Sequence, residues 1–204
     1  RQFLFSNRRP EILEGWHSDT LKHKEQDWYL VVHPDLPVFR GKNKDVEIVL
    51  MGYMLDPVHP SLSDRQIFDK LLKSKNFEEL IEQLDPINGR FVLAYSDSED
   101  FRVLTDFSGF REVFYCITGD RIMWGSTPSI LSWHGNLPVN NDPDIINLHE
   151  SDAYVNADYT WVGEETLVKG IRKLLPNHYL DVIHQNPVRY WPVEPIKSID
   201  IDQC

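Results

Sequence analysis

The sequence predicts an α+β fold in which helices cover antiparallel β-sheets. Three observations lead to this prediction: two helical segments between residues 63 and 86, a dense run of strand and turn signals between residues 89 and 126, and a second block of strand signals near the end. The 204-residue chain is 41% hydrophobic and 12% aromatic, which suits one globular domain with a large core.

Two strands are predicted before the helices. Apolar residues cluster between residues 27 and 38, and His33-Pro34 is expected to end this strand because proline cannot donate to a β-ladder. Residues 46–54 form a nearly continuous apolar run, which predicts a second and largely buried strand.

Two helices are predicted next. Ser63 and Gln66 have the spacing of a capping box, and apolar residues follow them at a helical period. A second helix is expected over residues 77–84, since its apolar residues repeat at the same period. Asp85-Pro86 closes it, because the residue before a proline avoids the helical region.

The strongest strand signals lie between residues 89 and 126. The expected strands are residues 89–97, 101–106, 113–117 and 121–126, separated by turns rich in Gly, Ser and Asp. Because these short strands follow one another at near-regular spacing, they are predicted to form one antiparallel meander.

Further elements are expected after residue 126. They are a short helix at residues 128–133, a helix that starts at Asp142-Pro143 with Ile145, Ile146 and Leu148 facing the core, and a strand at residues 179–183 paired with residues 188–192. Residues 193–204 are predicted to be a linker.

The charge and the cysteine content restrict the partners. The net charge is -11 and the pI is about 5.1, so nucleic acid and anionic membranes are not expected to bind. No stretch approaches the roughly 20 apolar residues that a membrane span needs. The two cysteines, Cys116 and Cys204, provide no disulfide framework, which predicts a reducing, cytoplasmic location.

An ordered series of segments resembles a known family. Residues 89–95, 104–111, 113–115 and 124–126 are similar to the "G-x-F-A … R-D-x-x-G … L-Y-Y … A-S" series of class II glutamine amidotransferase domains, and residues 170–180 with 189–191 are similar to the "G-I-x-x-L-x-P-G-H-x-L … R-Y-W" that closes such a domain. Asparagine synthetases and their relatives carry both series. The chain therefore resembles the N-terminal glutamine amidotransferase domain of an asparagine synthetase-related protein.

The resemblance covers residues 46–191 and implies an N-terminal-nucleophile (Ntn) hydrolase-like fold, a four-layer αββα sandwich of two antiparallel sheets. It implies one glutaminase-like domain over residues 1–192, of which residues 1–45 are divergent. Residues 193–204 would lead to a C-terminal synthetase domain, which would be the partner of this domain and would hold ATP and Mg. No cofactor is expected in this chain, and a homodimer is the other partnership considered.

The residue that performs the family's glutaminase reaction is absent. That reaction uses an N-terminal Cys, whose thiolate attacks the glutamine amide while its own α-amine acts as the base. Residue 1 is Arg, and Cys116 lies within a predicted strand, where a buried structural thiol is expected. We therefore predict no catalytic residue in this chain. Nothing in the sequence supports a cleavage that would expose Ser6 or Thr20 as a terminal nucleophile.

The residues that would hold glutamine are also changed. Met51-Gly52-Tyr53 stands in place of the family's "N-G-E" turn, so the glycine is kept but the carboxylate partner of glutamine's ammonium group is lost. Asp106 could still meet an ammonium group, although an Asp at such a turn more often bonds backbone amides. The vestigial amino-acid pocket is predicted to comprise Gly52, Tyr53, Gly89 and Asp106.

Other kinds of site receive less support. The eight histidines are scattered and none are paired at i,i+4 spacing, so no metal site is predicted, although His17 and His23 could be close in space. His178 is expected to make a structural hydrogen bond. There is no glycine-rich phosphate loop, so the chain alone offers no ATP site.

Three functions remain open at the level of sequence. The first is a non-catalytic structural or regulatory domain of an ATP-dependent amide-forming enzyme. The second is a true glutaminase domain whose first residues, including an N-terminal Cys, are lost from this chain. The third is a stand-alone binding or dimerisation module, and an S-G-G-x-D-S motif encoded shortly after residue 204 would favour the first function over the third.

Overall fold

The computed structural model describes residues 1–156 and 163–192. The strands are β1 Phe3–Ser6, β2 His17–His23, β3 Gln26–Val32, β4 Val38–Lys42, β5 Glu47–Leu55, β6 Asn88–Ser96, β7 Phe101–Thr105, β8 Phe114–Thr118, β9 Arg121–Gly125, β10 Ile171–Lys173, β11 His178–Asp181 and β12 Asn186–Arg189. The helices are α1 Asp64–Leu71, α2 Phe77–Leu84, α3 Pro128–Gly135, α4 Pro143–Glu150 and α5 Asp152–Asn156.

The strands form two antiparallel six-stranded sheets. Sheet A has the order β10-β8-β9-β1-β3-β2, and sheet B has the order β12-β11-β7-β6-β5-β4. The apolar residues divide among three clusters, one between the sheets, one between sheet B and helices α1 and α2, and one between sheet A and helix α3. The predicted sandwich of two antiparallel sheets between helical layers is therefore confirmed.

The predicted meander is wrong. β6 and β7 pair in sheet B, whereas β8 and β9 pair in sheet A, so the chain crosses from one sheet to the other between Thr105 and Phe114. The reason is visible in the burial of β6. Phe91, Leu93 and Tyr95 pack towards the helices, while Val92 and Ala94 pack between the sheets. Both faces of the β6–β7 hairpin therefore need cover: helices cover one face, and sheet A, which contains β8 and β9, covers the other.

The predicted helix starts are correct. The Ser63 hydroxyl accepts from the Gln66 backbone amide, and the Gln66 side chain accepts from the Ser63 amide at 2.9 Å, which completes the capping box of α1. At α2 the Asn76 side chain accepts from the backbone amide of Glu79 at 2.9 Å, which is a simple N-cap. Both helices lie with their buried residues against sheet B.

The strand predicted to end at His33-Pro34 is confirmed as β3, which ends at Val32, and a turn follows before β4 begins at Val38. One predicted burial pattern needs correction. Helix α4 begins after Asp142 as predicted, but none of its residues is buried, and the predicted inward-facing Ile145, Ile146 and Leu148 are half-buried or exposed. The predicted linker at residues 193–204 lies outside the described residues.

A charged cluster joins the edges of the two sheets. Arg40 on β4 lies 2.6 Å from Asp19 on β2 through Nη1, and 2.6 Å from Glu47 on β5 through Nη2. Glu47 is buried, so its charge needs the two hydrogen bonds that Arg40 Nε and Nη2 donate to Oε1. The cluster ties edge strand β2 of sheet A to edge strand β4 of sheet B.

Candidate functional site

A pocket of about 360 Å³ lies where Arg1, two residues before β1, meets strands β5 and β6. We call it the arginine pocket, and it is lined by Arg1, Pro37, Gly52, Tyr53, Arg90 and Arg111. The residues come from both sides of the sandwich, because Arg1 leads into sheet A while Gly52, Tyr53 and Arg90 belong to sheet B.

The pairing of β5 with β6 places two of the lining side chains together. Tyr53 lies directly opposite Arg90, and Gly52 lies opposite Phe91. Side chains that face each other across a ladder share one side of the sheet, so the phenol ring and the guanidinium group are neighbours. Tyr53 is 46% exposed, which leaves it accessible from the pocket.

The two strands approach unusually closely at two glycines. Gly52 has φ +123°, and a Cβ there would lie 2.1 Å from the Arg90 carbonyl oxygen. Gly89 has φ +142°, and its Cβ would lie 2.3 Å from the Tyr53 carbonyl oxygen. Only glycine fits such backbone contacts and torsions. Gly52, the glycine that the family-like turn retains, is therefore required by the backbone: the close approach of the two strands keeps Tyr53 opposite Arg90.

Asp106 organises the turn behind the pocket. Its carboxylate accepts hydrogen bonds from the amides of Phe110 and Arg111, each at 2.9 Å, and Gly109 donates to its carbonyl oxygen at 2.8 Å. The residue is only 2% exposed. Its two carboxylate oxygens are therefore already engaged with backbone amides, and the turn delivers Arg111, whose Nε donates to the Arg90 carbonyl at 3.3 Å.

The electrostatic character of the arginine pocket is positive. Arg1, Arg90 and Arg111 line it, and no Asp or Glu is among the lining residues. Burial lowers the pKa of Arg111, and the positive charge of Arg90 lowers it further, while the charge of Asp106 raises it. A guanidinium group carries a positive charge at neutral pH, so the pocket is cationic.

The structure brings together part of the predicted vestigial pocket. Gly52 and Tyr53 line the arginine pocket, Gly89 touches the Tyr53 backbone from the neighbouring strand, and Asp106 stands behind Arg111. Sequence reasoning did not identify Pro37, Arg90 and Arg111 as lining residues. Arg90 carried a usable signal, because it lies inside the family-like segment 89–95, but the register that sets it opposite Tyr53 is not written in the sequence.

The side chains considered as nucleophiles lie elsewhere. Cys116 is 2% exposed in the cluster between sheet A and α3, and its Sγ lies 3.4 Å from the Thr118 hydroxyl. Ser6 is fully buried at the end of β1, and Thr20 lies in the middle of β2. None of these three residues lines the arginine pocket.

The histidines do not gather. His17 and His23 occupy opposite ends of β2, roughly 20 Å apart at the rise of a strand, so the expectation that they could be close is wrong. In residues 1–156 and 163–192 no group of three His, Cys, Asp or Glu side chains is placed to hold a metal ion. His178 makes a structural hydrogen bond, as predicted, from Nδ1 to the Pro176 carbonyl at 2.9 Å.

Comparison with solved structures identifies the fold. A glutamine phosphoribosylpyrophosphate (PRPP) amidotransferase from B. subtilis, complexed with ADP and GMP, matches with a TM-score of 0.51 at 11% identity, over 94% of this chain and 43% of that one. A structure described as the allosteric regulatory enzyme of purine biosynthesis matches with a TM-score of 0.56 at 9% identity, over 94% and 49%. The chain has an Ntn-hydrolase-like fold.

This Ntn-hydrolase-like chain spans less than half the length of the solved structures that it matches. At 9–11% identity the likeness establishes the fold alone.

No family model and no curated protein sequence matches the chain. Within the described part, no helix is long and apolar enough to cross a membrane. The relation to asparagine synthetases therefore stays a prediction from the sequence motifs.

Proposed function

We propose that the chain is a catalytically degenerate glutamine amidotransferase-like domain with a structural or regulatory role in an asparagine synthetase-like, ATP-dependent amide-forming enzyme. The synthetase domain would be its partner and would supply the ATP and Mg site. The Ntn-hydrolase-like fold and the ordered motifs support the parentage. The arginine pocket supports the loss of glutamine hydrolysis.

The observation that carries the proposal is the set of side chains that line the arginine pocket. Amide hydrolysis on this fold requires a thiol or hydroxyl nucleophile next to a base. Among the residues that line the arginine pocket, Tyr53 offers the only hydroxyl, and Arg1 occupies the position that leads into β1. A guanidinium group is neither a nucleophile nor a base at neutral pH.

The charge of the pocket also opposes glutamine. The ammonium group of bound glutamine requires a carboxylate partner, but three guanidinium groups line the pocket and the Asp106 carboxylate is occupied by backbone amides. Like charges repel strongly where water is partly excluded. The site could therefore pair the carboxylate of glutamine, but it offers no partner to the ammonium group that a glutaminase must also hold.

The test is glutamate release from L-glutamine by the full encoded protein. The expected result is no release above the buffer, both for the natural protein and for the variant Cys116→Ser, because that thiol is buried away from the pocket. Release of glutamate that disappears when a Cys at the mature N-terminus is changed to Ala would contradict the proposal and establish the glutaminase alternative.

A further inference from the structure

We propose that the arginine pocket binds a small phosphate-type anion that carries at least two negative charges, such as pyrophosphate or a phosphate ester. The inference concerns the same pocket as the proposed function and rests on it only in assuming that glutamine is not the ligand. Its evidence is the charge, the geometry and the size of the pocket.

The charge of the pocket is opposite to that of the molecule. The chain has 32 acidic and 21 basic residues, yet Arg1, Arg90 and Arg111 meet in one concavity without an acidic lining residue. In residues 1–156 and 163–192 none of these three arginines forms an ion pair with Asp or Glu. Clustered like charges destabilise a fold, so an anion that binds between them would relieve a repulsion already present.

The Arg111 side chain and the backbone of Arg90 are held in place by the protein itself. Arg111 is held by the Asp106 turn and by its Nε hydrogen bond to the Arg90 carbonyl. Arg90 is held in register opposite Tyr53 by the close contacts at Gly52 and Gly89. Because Arg111 is already ordered, binding of an anion there loses less conformational entropy than it would at a free side chain.

The number of guanidinium groups favours a phosphate over a carboxylate. One guanidinium group can satisfy both oxygens of a carboxylate through a bidentate contact. A phosphoryl group offers three or four oxygens in a tetrahedral arrangement and a higher charge, which can engage several guanidinium groups from different directions. The volume of about 360 Å³ lies near the lower end of the range for small-ligand pockets.

The experiment is isothermal titration calorimetry of the purified chain with sodium pyrophosphate, inorganic phosphate, citrate, acetate and L-glutamine at low ionic strength. We expect pyrophosphate to bind most tightly, phosphate more weakly, and acetate and glutamine without measurable heat. Binding should weaken when the ionic strength rises from about 0.01 M to about 0.15 M, because the interaction is between charges that salt screens.

The variants Arg90→Gln and Arg111→Gln should each weaken pyrophosphate binding about tenfold, since each removes a charge-assisted contact. Arg90→Lys keeps the charge and should lose less. The matched control is Arg65→Gln, which removes the same charge from the exposed face of α1, where Arg65 pairs with Asp69, and should leave the affinity unchanged. Arg90 is exposed, so its variants should fold normally.

Three outcomes would overturn the inference: no binding of pyrophosphate at millimolar concentration, equal affinity of the Arg90→Gln, Arg111→Gln and Arg65→Gln proteins, or tighter binding of citrate than of pyrophosphate. These outcomes are separate from the test of the proposed function. Glutamate release would contradict the loss of glutaminase activity, whereas a failure of pyrophosphate to bind would leave that loss intact.

Discussion

At the scale of single residues, His134 shows how the buried end of β1 depends on a neutral side chain. Its Nε2 lies 3.0 Å from the hydroxyl of Ser6, which is fully buried and also accepts from the Arg8 amide at 3.1 Å. The pKa of His134 is lowered to about 4, mainly by burial and to a smaller extent by the positive charge of Arg121. The ring is therefore neutral at pH 7 and makes its hydrogen bond with Ser6 in that form.

This arrangement predicts acid sensitivity. The unfolded histidine has a pKa of 6.5, so between pH 6.5 and about 4 the unfolded chain binds a proton that the folded chain does not. The contribution is fully present above pH 6.5 and is lost as the pH falls towards 4. Partial exposure limits it to about 2 kcal/mol.

The free energy of unfolding, measured with urea at pH 7 and at pH 4.5, should fall less for His134→Asn than for the natural chain. Both proteins carry the same carboxylates, so the difference between them isolates the histidine. An equal fall in the two proteins would show that His134 does not contribute.

At the scale of elements, the β5–β6 ladder depends on the two glycines that allow close approach. A methyl group at Gly52 would overlap the Arg90 carbonyl at 2.1 Å, and the positive φ of +123° is unfavourable for any other residue. The strand could accept alanine only by moving away from β6, which would also displace Tyr53 from Arg90.

Gly52→Ala should therefore lower the free energy of unfolding by about 3 kcal/mol or more. The matched control is Gly119→Ala in the β8–β9 turn, where φ is +60° and a Cβ would meet nothing within 4 Å. That change should cost about 1–2 kcal/mol, the conformational penalty alone. Equal losses in urea unfolding would show that the close contact with Arg90 is not what requires Gly52.

Helices and strands differ in how much of them the sequence predicts. The capping box at Ser63 is local, so α1 begins where its residues indicate. Strand β2 was missed because most of its residues are polar and exposed at the edge of sheet A, which leaves no alternating pattern to detect. The meander was wrong because sheet membership depends on which layers cover a hairpin, and short-range turn signals do not contain that information.

The same limit applies to the site. Gly52 and Tyr53 could be selected from the sequence because they occupy a family-like turn. Arg90 and Arg111 also lie in family-like segments, but their convergence could not be predicted, because it depends on the ladder register of β5 with β6 and on the Asp106 turn. Three arginines that are far apart in sequence become one charged surface only after the chain has folded.

At the scale of the whole molecule, one ring joins the two sheets. Phe101 of β7 projects from sheet B into a group of sheet A side chains, with ring centroids 6.4 Å from Phe5, 5.0 Å from Trp28 and 5.4 Å from Trp124. All four rings belong to the central apolar cluster. Because this cluster is shared by both sheets, neither sheet has a complete core without the other.

Phe101→Ala should therefore lower the free energy of unfolding of the entire chain by about 3–5 kcal/mol, through lost burial and the cavity left among three rings. The matched control is Phe110→Ala, whose ring is 67% exposed, and its effect should stay within about 0.5 kcal/mol. Two of the six tryptophans, Trp28 and Trp124, lie beside the substituted ring, so part of the tryptophan fluorescence reports the inter-sheet core, while far-ultraviolet circular dichroism reports both sheets. The two signals should change at the same urea concentration in the natural chain. A fluorescence transition that precedes the loss of strand signal would mean that the sheets separate before they unfold, and that Phe101 does not make the sandwich one cooperative unit.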